Sequence, residues 1–304
     1  MAVTGRVAAP AQARIARRIR NVVEPIAGCS IFSPEAHQEY TQLGLPSSEI
    51  FHAGVHMLHF ETYVMTRSAC LGPAPAEVVA AAFAVFHPAE VVSAVKRWRG
   101  STTPEVLQQA RQRGAVAALR RALGEPTSEV ERAVELLQQA TSVLRLEGRP
   151  LFAGLRSLGY VGEPLADLWR AADLFREHRG DSHISSWTAR GLDAAQSCLL
   201  NDMAQGLPIK SYVRTRGWSE AELDDAVEKL ARRGLVDEGG LTEVGRAFRD
   251  NLEDHTDAQQ HVAVEALKDD VTELLTLLTP ISEAIRREGG YPGREFVEGL
   301  RDWA

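Results

Sequence analysis

Three histidines, His52, His56 and His59, crowd into the stretch Phe51–Tyr63, which ends on Tyr63. Read as a helix at about 100° per residue, the four side chains share a stripe about 60° wide. Imidazoles so arranged can line a pocket, move protons near neutral pH or offer nitrogen ligands. A pair at i, i+4 is a zinc geometry that takes its remaining ligand from elsewhere. The plainer account is a polar seam, with Met57, Leu58 and Phe60 burying the other sides of the helix and Gly54 weakening its middle.

A second cluster lies in Phe175–His183, FREHRGDSH. His178, Arg179, Asp181 and His183 could floor a polar pocket for a carboxylate, a phosphate or a metal. Equally, Gly180 could take the left-handed position after one helix while Asp181 or Ser182 caps the next. His-x4-His is not a usual metal spacing on one helix, and no metal is assigned. There is no GxGxxG, Walker loop, GxSxG, HExxH or Cys-based zinc motif, so the sequence names no cofactor and disfavours nucleotide cofactors and serine-hydrolase chemistry. Trp98, Trp169, Trp187 and Trp218 read as core.

Tyr212–Phe248 has the pattern of the second half of a winged helix-turn-helix, set within residues 205–250. A short helix near Ile209–Arg216 turns at Gly217, and Ser219 with Glu222 forms a capping box for a second helix. Gly234 stops that helix. Leu235-Val236 and Leu241-Thr242 flank an acidic turn. Such a helix enters the major groove by its front, where DNA affinity comes largely from Lys and Arg. Here the front carries Glu220, Glu222, Asp224, Asp225 and Glu228. Arg214, Arg216, Arg232 and Arg233 are the candidate DNA contacts, but they flank the helix. DNA is therefore a disfavoured partner through this face; Arg111, Arg113, Arg120 and Arg121 offer another.

The remaining chain reads as helices that position these clusters: Ala11–Ile26, Pro34–Gly44, Pro46–Ser68, Pro75–Phe86, Pro88–Trp98, Pro104 toward Leu123, Thr127–Glu147, Pro164–His178, His183–Ala204 and a closing stretch Val262–Glu288 with Pro280 inside. The expected fold is mainly α: a helical bundle with a C-terminal winged helix-turn-helix. Val95–Val116 weakly echoes Val213–Val236, which allows a degenerate winged-helix repeat in the N-terminal half. The expected domains are residues 10–147 and 148–290, with a tail over 291–304.

The net charge of −7 gives no global pull toward nucleic acid or anionic lipid. Three isolated cysteines suit a reducing compartment, Met1–Pro10 lacks the apolar core of a signal peptide, and no apolar run reaches the ~20 residues of a membrane helix. A cytoplasmic protein without membrane contact is expected.

The segments Leu71-Gly72, Phe86-His87-Pro88, Gly148-Arg149-Pro150-Leu151, FREHRGDSH, Thr215–Ser219 and Leu241-Thr242 through Thr256-Asp257 together resemble an actinobacterial helix-turn-helix family of MarR-like type, over about residues 60–260. The resemblance implies a mostly helical, winged-helix fold and no established activity. Phe51–Phe60 departs from the family pattern, which points to a specialised member.

The leading expectation is a small-molecule-binding protein, with an enzyme of specialised metabolism as one form, on a winged-helix scaffold. Its pocket would lie between the halves, lined by His52, His56, His59, Tyr63, His178, Arg179, Asp181 and His183. The alternatives are a MarR-like, ligand-responsive regulator that binds DNA, and a protein-interaction module. A monomeric pseudo-dimer and a homodimer both fit.

Overall fold

The helix-favouring composition gives a mainly helical chain, and the computed structural model describes residues 10–52 and 54–292 of it. α1 (Pro10–Phe32) and α2 (Pro34–Gln42) precede a hairpin of β1 (Phe51–His52) and β2 (Val55–His56). Then come α3 (Phe60–Ser68), α4 (Ala76–Ala82), α5 (Pro88–Trp98), α6 (Pro104–Leu123) and α7 (Ser128–Ser142). The second half runs α8 (Pro150–Ser157), α9 (Pro164–Thr188), α10 (Ala194–Ala204) and α11 (Glu220–Arg232). A hairpin of β3 (Val236–Asp237) and β4 (Gly240–Leu241) leads to α12 (Glu243–Ala258), α13 (His261–Leu267) and α14 (Val271–Arg287).

α1, α2, α5, α6, α8 and α9 each open on proline. Its missing N–H costs nothing there, because first-turn N–H groups have no helical partner. Ser33 and Thr103 add side-chain caps, accepting from Ala36 N at 3.1 Å and Val106 N at 3.3 Å. Where α2 crosses α6, Gly114 is needed for close approach: a Cβ there would stand 2.4 Å from Ala36 Cα.

The larger apolar core draws on α1 to α9, α13 and α14. It runs without a break across the expected boundary at residues 147 and 148. A smaller core joins the end of α9 to α10, α11 and α12 through Trp187, Leu199, Val213, Leu223, Leu230 and Leu252. The winged unit is thus set into the bundle, with α13 and α14 returning to the larger core.

Within that unit the sequence pattern holds in detail. A 3₁₀ turn over Val213–Arg216 ends at Gly217, whose φ of +84° is left-handed. Ser219 Oγ accepts from Glu222 N at 3.4 Å, and Glu222 Oε2 accepts from Ser219 N at 2.9 Å. β3 and β4 pair antiparallel as the wing, Val236 opposite Leu241. The N-terminal echo keeps two helices, α5 and α6, either side of a short turn. It lacks a wing, because Gly124 leads from α6 toward α7 and residues 104–150 contain no strand.

Two expectations fail locally. The helix expected over Pro46–Ser68 is a hairpin followed by α3. Gly54, at φ +83°, supplies the left-handed turn residue, and burial alternates: His52 and Val55 inward, Phe51 and His56 outward. The break expected at Arg179–Ser182 does not occur, since α9 runs through all of FREHRGDSH as a 25-residue helix. Long-range contacts on both sides of Gly180, the ion pairs of Glu177 and Arg179 before it and the bond from Phe152 N to Asp181 after it, hold it helical, and the break falls later, at Gly191, before Asp193 and Gln196 form a capping box for α10. The expected tail lies outside the described residues beyond Pro292, as do residues 1–9.

Candidate ligand-binding site

The hairpin, its following loop and α3 face the 3₁₀ turn of the winged unit across a cavity of about 470 Å³. From the N-terminal side it takes His52, His59, Phe60 and Tyr63, with Phe32 at the end of α1 and Phe86 before α5. From the other side come Arg176 of α9 and Tyr212, Thr215 and Arg216 of the turn.

The aromatic rings form a continuous wall. Phe60 and Phe86 have centroids 5.3 Å apart, and Tyr63 lies 5.6 Å from Phe86. Arg216 sits between Phe86 and Tyr212, its guanidinium carbon 4.6 Å from each ring centre, and its Nη2 donates to Tyr212 Oη at 2.5 Å. Such stacking holds a desolvated cation by roughly 0.5–2 kcal/mol per ring. Among the described residues, no carboxylate comes within ion-pair distance of Arg216. The cavity therefore presents a fixed positive charge backed by aromatic surface.

A charged network behind the wall fixes its geometry. Glu177 accepts from Arg67 Nε at 2.8 Å and Nη2 at 2.5 Å, and from Arg176 Nη1 at 2.6 Å. Arg67 also donates to Tyr63 Oη at 3.0 Å. Burial alone would push the Glu177 carboxyl up, but Arg67 and Arg176 hold it down at about 2. Glu177 thus positions both Tyr63 and Arg176 on the cavity wall. The turn carrying Arg216 is anchored from below: buried Asp202 accepts from Val213 N at 2.9 Å, its carboxyl pushed up to about 6 by burial.

His59 caps α3, its Nδ1 accepting from Glu61 N at 3.3 Å. In the neutral ring the proton then sits on Nε2. His52 is buried on the hairpin's inner face beside the cavity, whereas His56 is exposed and meets Phe51 edge-on at 5.0 Å. The expected stripe is therefore split: His52, His59 and Tyr63 reach the cavity and His56 does not.

The second cluster does not join them. His178 and Asp181 are buried against α8, His178 edge-on to Phe152 at 5.0 Å and Asp181 Oδ2 accepting from Phe152 N at 3.0 Å. Burial, with Arg149 adding to it, pushes the His178 imidazole down to about 3; burial pushes the Asp181 carboxyl up to about 7. Arg179 bonds Glu253 and Asp257, and His183 lies 3.3 Å from Glu253. These two face a different cleft, between α1, α9, α10, α12 and α14. The single pocket expected from the sequence is thus two, with His178 and Asp181 inside the protein between neighbouring helices. Among the described residues, no three His, Cys, Asp or Glu side chains gather as a metal site.

The residues missed by sequence reasoning are Phe60, Phe86, Arg176 and Tyr212. Tyr212 and Arg216, four residues apart on one turn, were the readable signal. Arg216, a candidate DNA contact by sequence, belongs to the cavity. Arg214 pairs with Glu220 at 3.1 Å and Arg232 reaches toward Glu228 at 3.8 Å. Arg233 donates to the carbonyls of Gly191 and Arg190. Lys210 is held between Glu220 and Asp224, and Lys229 lies 2.6 Å from Asp225. Lys210, Arg214 and Lys229 are thus closely paired with carboxylates of α11, while Arg232 makes only a long, exposed pair and Arg233 bonds carbonyls. The second basic group is engaged too: Arg111 with Asp173, Arg113 with Glu39, Arg120 with Glu163 and Arg121 with Glu35.

The turn before α11 is docked on the bundle. His87 N donates to Arg216 O at 2.8 Å, Trp218 Nε1 to Val85 O at 3.2 Å, and His87 Nε2 lies 3.1 Å from Glu222. Residues 16–292 match the model of a helix-turn-helix family. No curated protein and no solved structure matches the chain.

Proposed function

The chain belongs to that helix-turn-helix family, and we propose that it is a small-molecule-binding protein in which the helix-turn-helix serves as one wall of the ligand pocket. The observation that carries this reading is Arg216, stacked between Phe86 and Tyr212 at the edge of a 470 Å³ cavity, with no carboxylate among the described residues within ion-pair distance of it. Arg216 is half-buried and feels Asp202 only at a distance beyond an ion pair; a ligand anion in direct contact would offset the cost of desolvating it. The ligand class that fits is an aromatic or apolar molecule with one carboxylate or phosphate. Its anion would meet Arg216, its body would lie on Phe60, Tyr63 and Phe86, and His59 would reach its polar edge.

The test is native mass spectrometry of protein purified from its own host, comparing the wild type with Arg216→Met. A small molecule carried by the wild type and lost from the variant supports the reading. A molecule retained equally by both, or one with no acidic group, defeats it.

A second reading, a ligand-responsive DNA-binding regulator of MarR-like type, is favoured by the family and by Tyr212, Thr215 and Arg216 serving both turn and cavity. Ligand entry would then bear directly on the element that precedes α11. The ion-paired bases along α11 weigh against it. Gel shifts on genomic fragments at low salt separate the two: a specific shift that the co-purified ligand abolishes promotes the regulator.

A further inference from the structure

A second cleft, of about 570 Å³, opens where the winged unit meets the bundle. Its walls are α1 with Arg20 and Glu24, α9 with Arg179 and His183, and α12 with Arg249 and Glu253. We propose that this cleft binds a small polyanion, a phosphorylated or multiply carboxylated metabolite, between Arg20 of α1 and Arg249 of α12.

The argument rests on which charges are already spent. Glu24 is paired with Arg176 at 3.1 Å. Glu253 is paired with Arg179 at 2.5 Å and faces His183 at 3.3 Å. The two carboxylates of the cleft are therefore satisfied. Arg20 and Arg249 are less fully met. Arg20 gives Nε and Nη2 to the neutral Asn21 Oδ1, at 3.1 and 2.8 Å, and among the described residues no carboxylate lies within ion-pair distance of it. Arg249 reaches Asp250 and Glu253 only at 3.7 and 3.9 Å, too far for hydrogen bonds, and its Nε is buried with no partner. Burial, with the neighbouring Arg179 adding to it, pushes the Arg20 guanidinium pKa down against the opposing pull of Glu24, Glu253 and Asp257. A chain of net charge −7 has no general excess of base to place here.

Guanidinium forks suit phosphate and carboxylate oxygens, and two of them facing one cleft suit an anion with more than one such group. The cleft is bounded by five helices, which favours a compact metabolite over a duplex. Because Arg20 is on the bundle and Arg249 on the winged unit, the bound anion would clamp the two together. This site is separate from the aromatic cavity and does not rest on that assignment.

The experiment is calorimetric titration of the full chain with pyrophosphate and with citrate, at ionic strength matched by sodium chloride. Saturable binding is expected, weakened about tenfold or more in Arg20→Gln and in Arg249→Gln, since each loses a charge-assisted hydrogen bond. Arg249→Lys should fall between. Hydrogen exchange on the wild type needs no variant to fold: pyrophosphate should protect residues 20–24 and 249–253. No saturable binding, affinity unchanged in both glutamine variants, or protection confined to other elements would each overturn the proposal.

Discussion

Asp181 offers a sharp test of whether the FREHRGDSH stretch is interior. Its carboxyl is buried, accepts from Phe152 N at 3.0 Å through Oδ2, leaves Oδ1 without a partner, and is pushed from 3.8 up to about 7. An acid raised in the folded state binds protons there that the unfolded chain has released. Stability from this group is therefore full below about pH 4, is lost as pH rises through about 7, and is level above that. With one unit equal to about 1.36 kcal/mol, the loss between pH 5 and 7 is about 2 kcal/mol. Asp181→Asn keeps an oxygen for Phe152 N–H and removes the titration. The assay is urea unfolding of wild type and variant from pH 5 to 8.5. The variant should gain about 2 kcal/mol on the wild type between pH 5 and 7 and little beyond. Neighbouring groups do not blur the comparison: His178 is held neutral with its pKa near 3, and Glu177, near 2, stays ionised across the range. Arg67 and Arg149, the cations nearest this carboxyl, stay charged throughout. A difference between the two proteins that stays flat across pH would show that the carboxyl is solvated, and the interior assignment would fail.

Glu177→Gln would leave Arg67 and Arg176 without their shared buried carboxylate, and should destabilise by about 3–5 kcal/mol in the same unfolding assay. Gly217→Ala meets both a φ of +84° and a Cβ only 2.8 Å from Glu90 Cγ; a loss of at least about 1–2 kcal/mol is expected by thermal unfolding, and a neutral result would mean the turn is not docked on α5. Asp202→Ala removes the acceptor for Val213 N–H and should cost about 1–3 kcal/mol while lowering ligand retention, because the turn bearing Arg216 loosens; an unchanged ligand load in native mass spectra would show that the anchor does not matter to the pocket.

Much of the architecture was readable because its signals are local. The prolines opening α2, α5, α6 and α9, the Ser219–Glu222 capping box and the Gly217 and Gly234 stops all act within four residues and stand where the sequence put them, whereas Pro46 opens no helix. The two misreadings share a cause. At Phe51–Tyr63 histidine spacing fits a helical stripe, but the same residues fit a two-residue period once Gly54 turns the chain, and only packing selects between them. At Phe175–His183 local chemistry favours a break at Gly180, yet Glu177 and Arg179 have partners on α3 and α12, more than seventy residues away in sequence. No local pattern reveals such partners. The cavity was half legible for the same reason: His52, His59 and Tyr63 were singled out, while Arg216 was assigned to DNA because its stacking on Phe86 is a long-range contact.

Under the proposed function, the winged unit would have changed occupation without losing its helix-turn-helix form. A reading head needs a free turn, a positive front and open ground before it. Here the turn is sewn to the bundle through His87 N and Val85 O, with Glu90 packed where a Cβ on Gly217 would fall. The front has five carboxylates against the two bases of its own last turns, Lys229 and Arg232, and both of those face acids. Arg216 is half-buried and stacks in the aromatic wall between Phe86 and Tyr212. Restoring a positive front would require replacing several of these carboxylates at once, because Lys210 and Lys229 each face two acids and Glu220 holds both Lys210 and Arg214. The same ion pairs brace the start of α11 against the turn that carries Thr215 and Arg216, so the charges that oppose a polyanion outside also stiffen the pocket wall within.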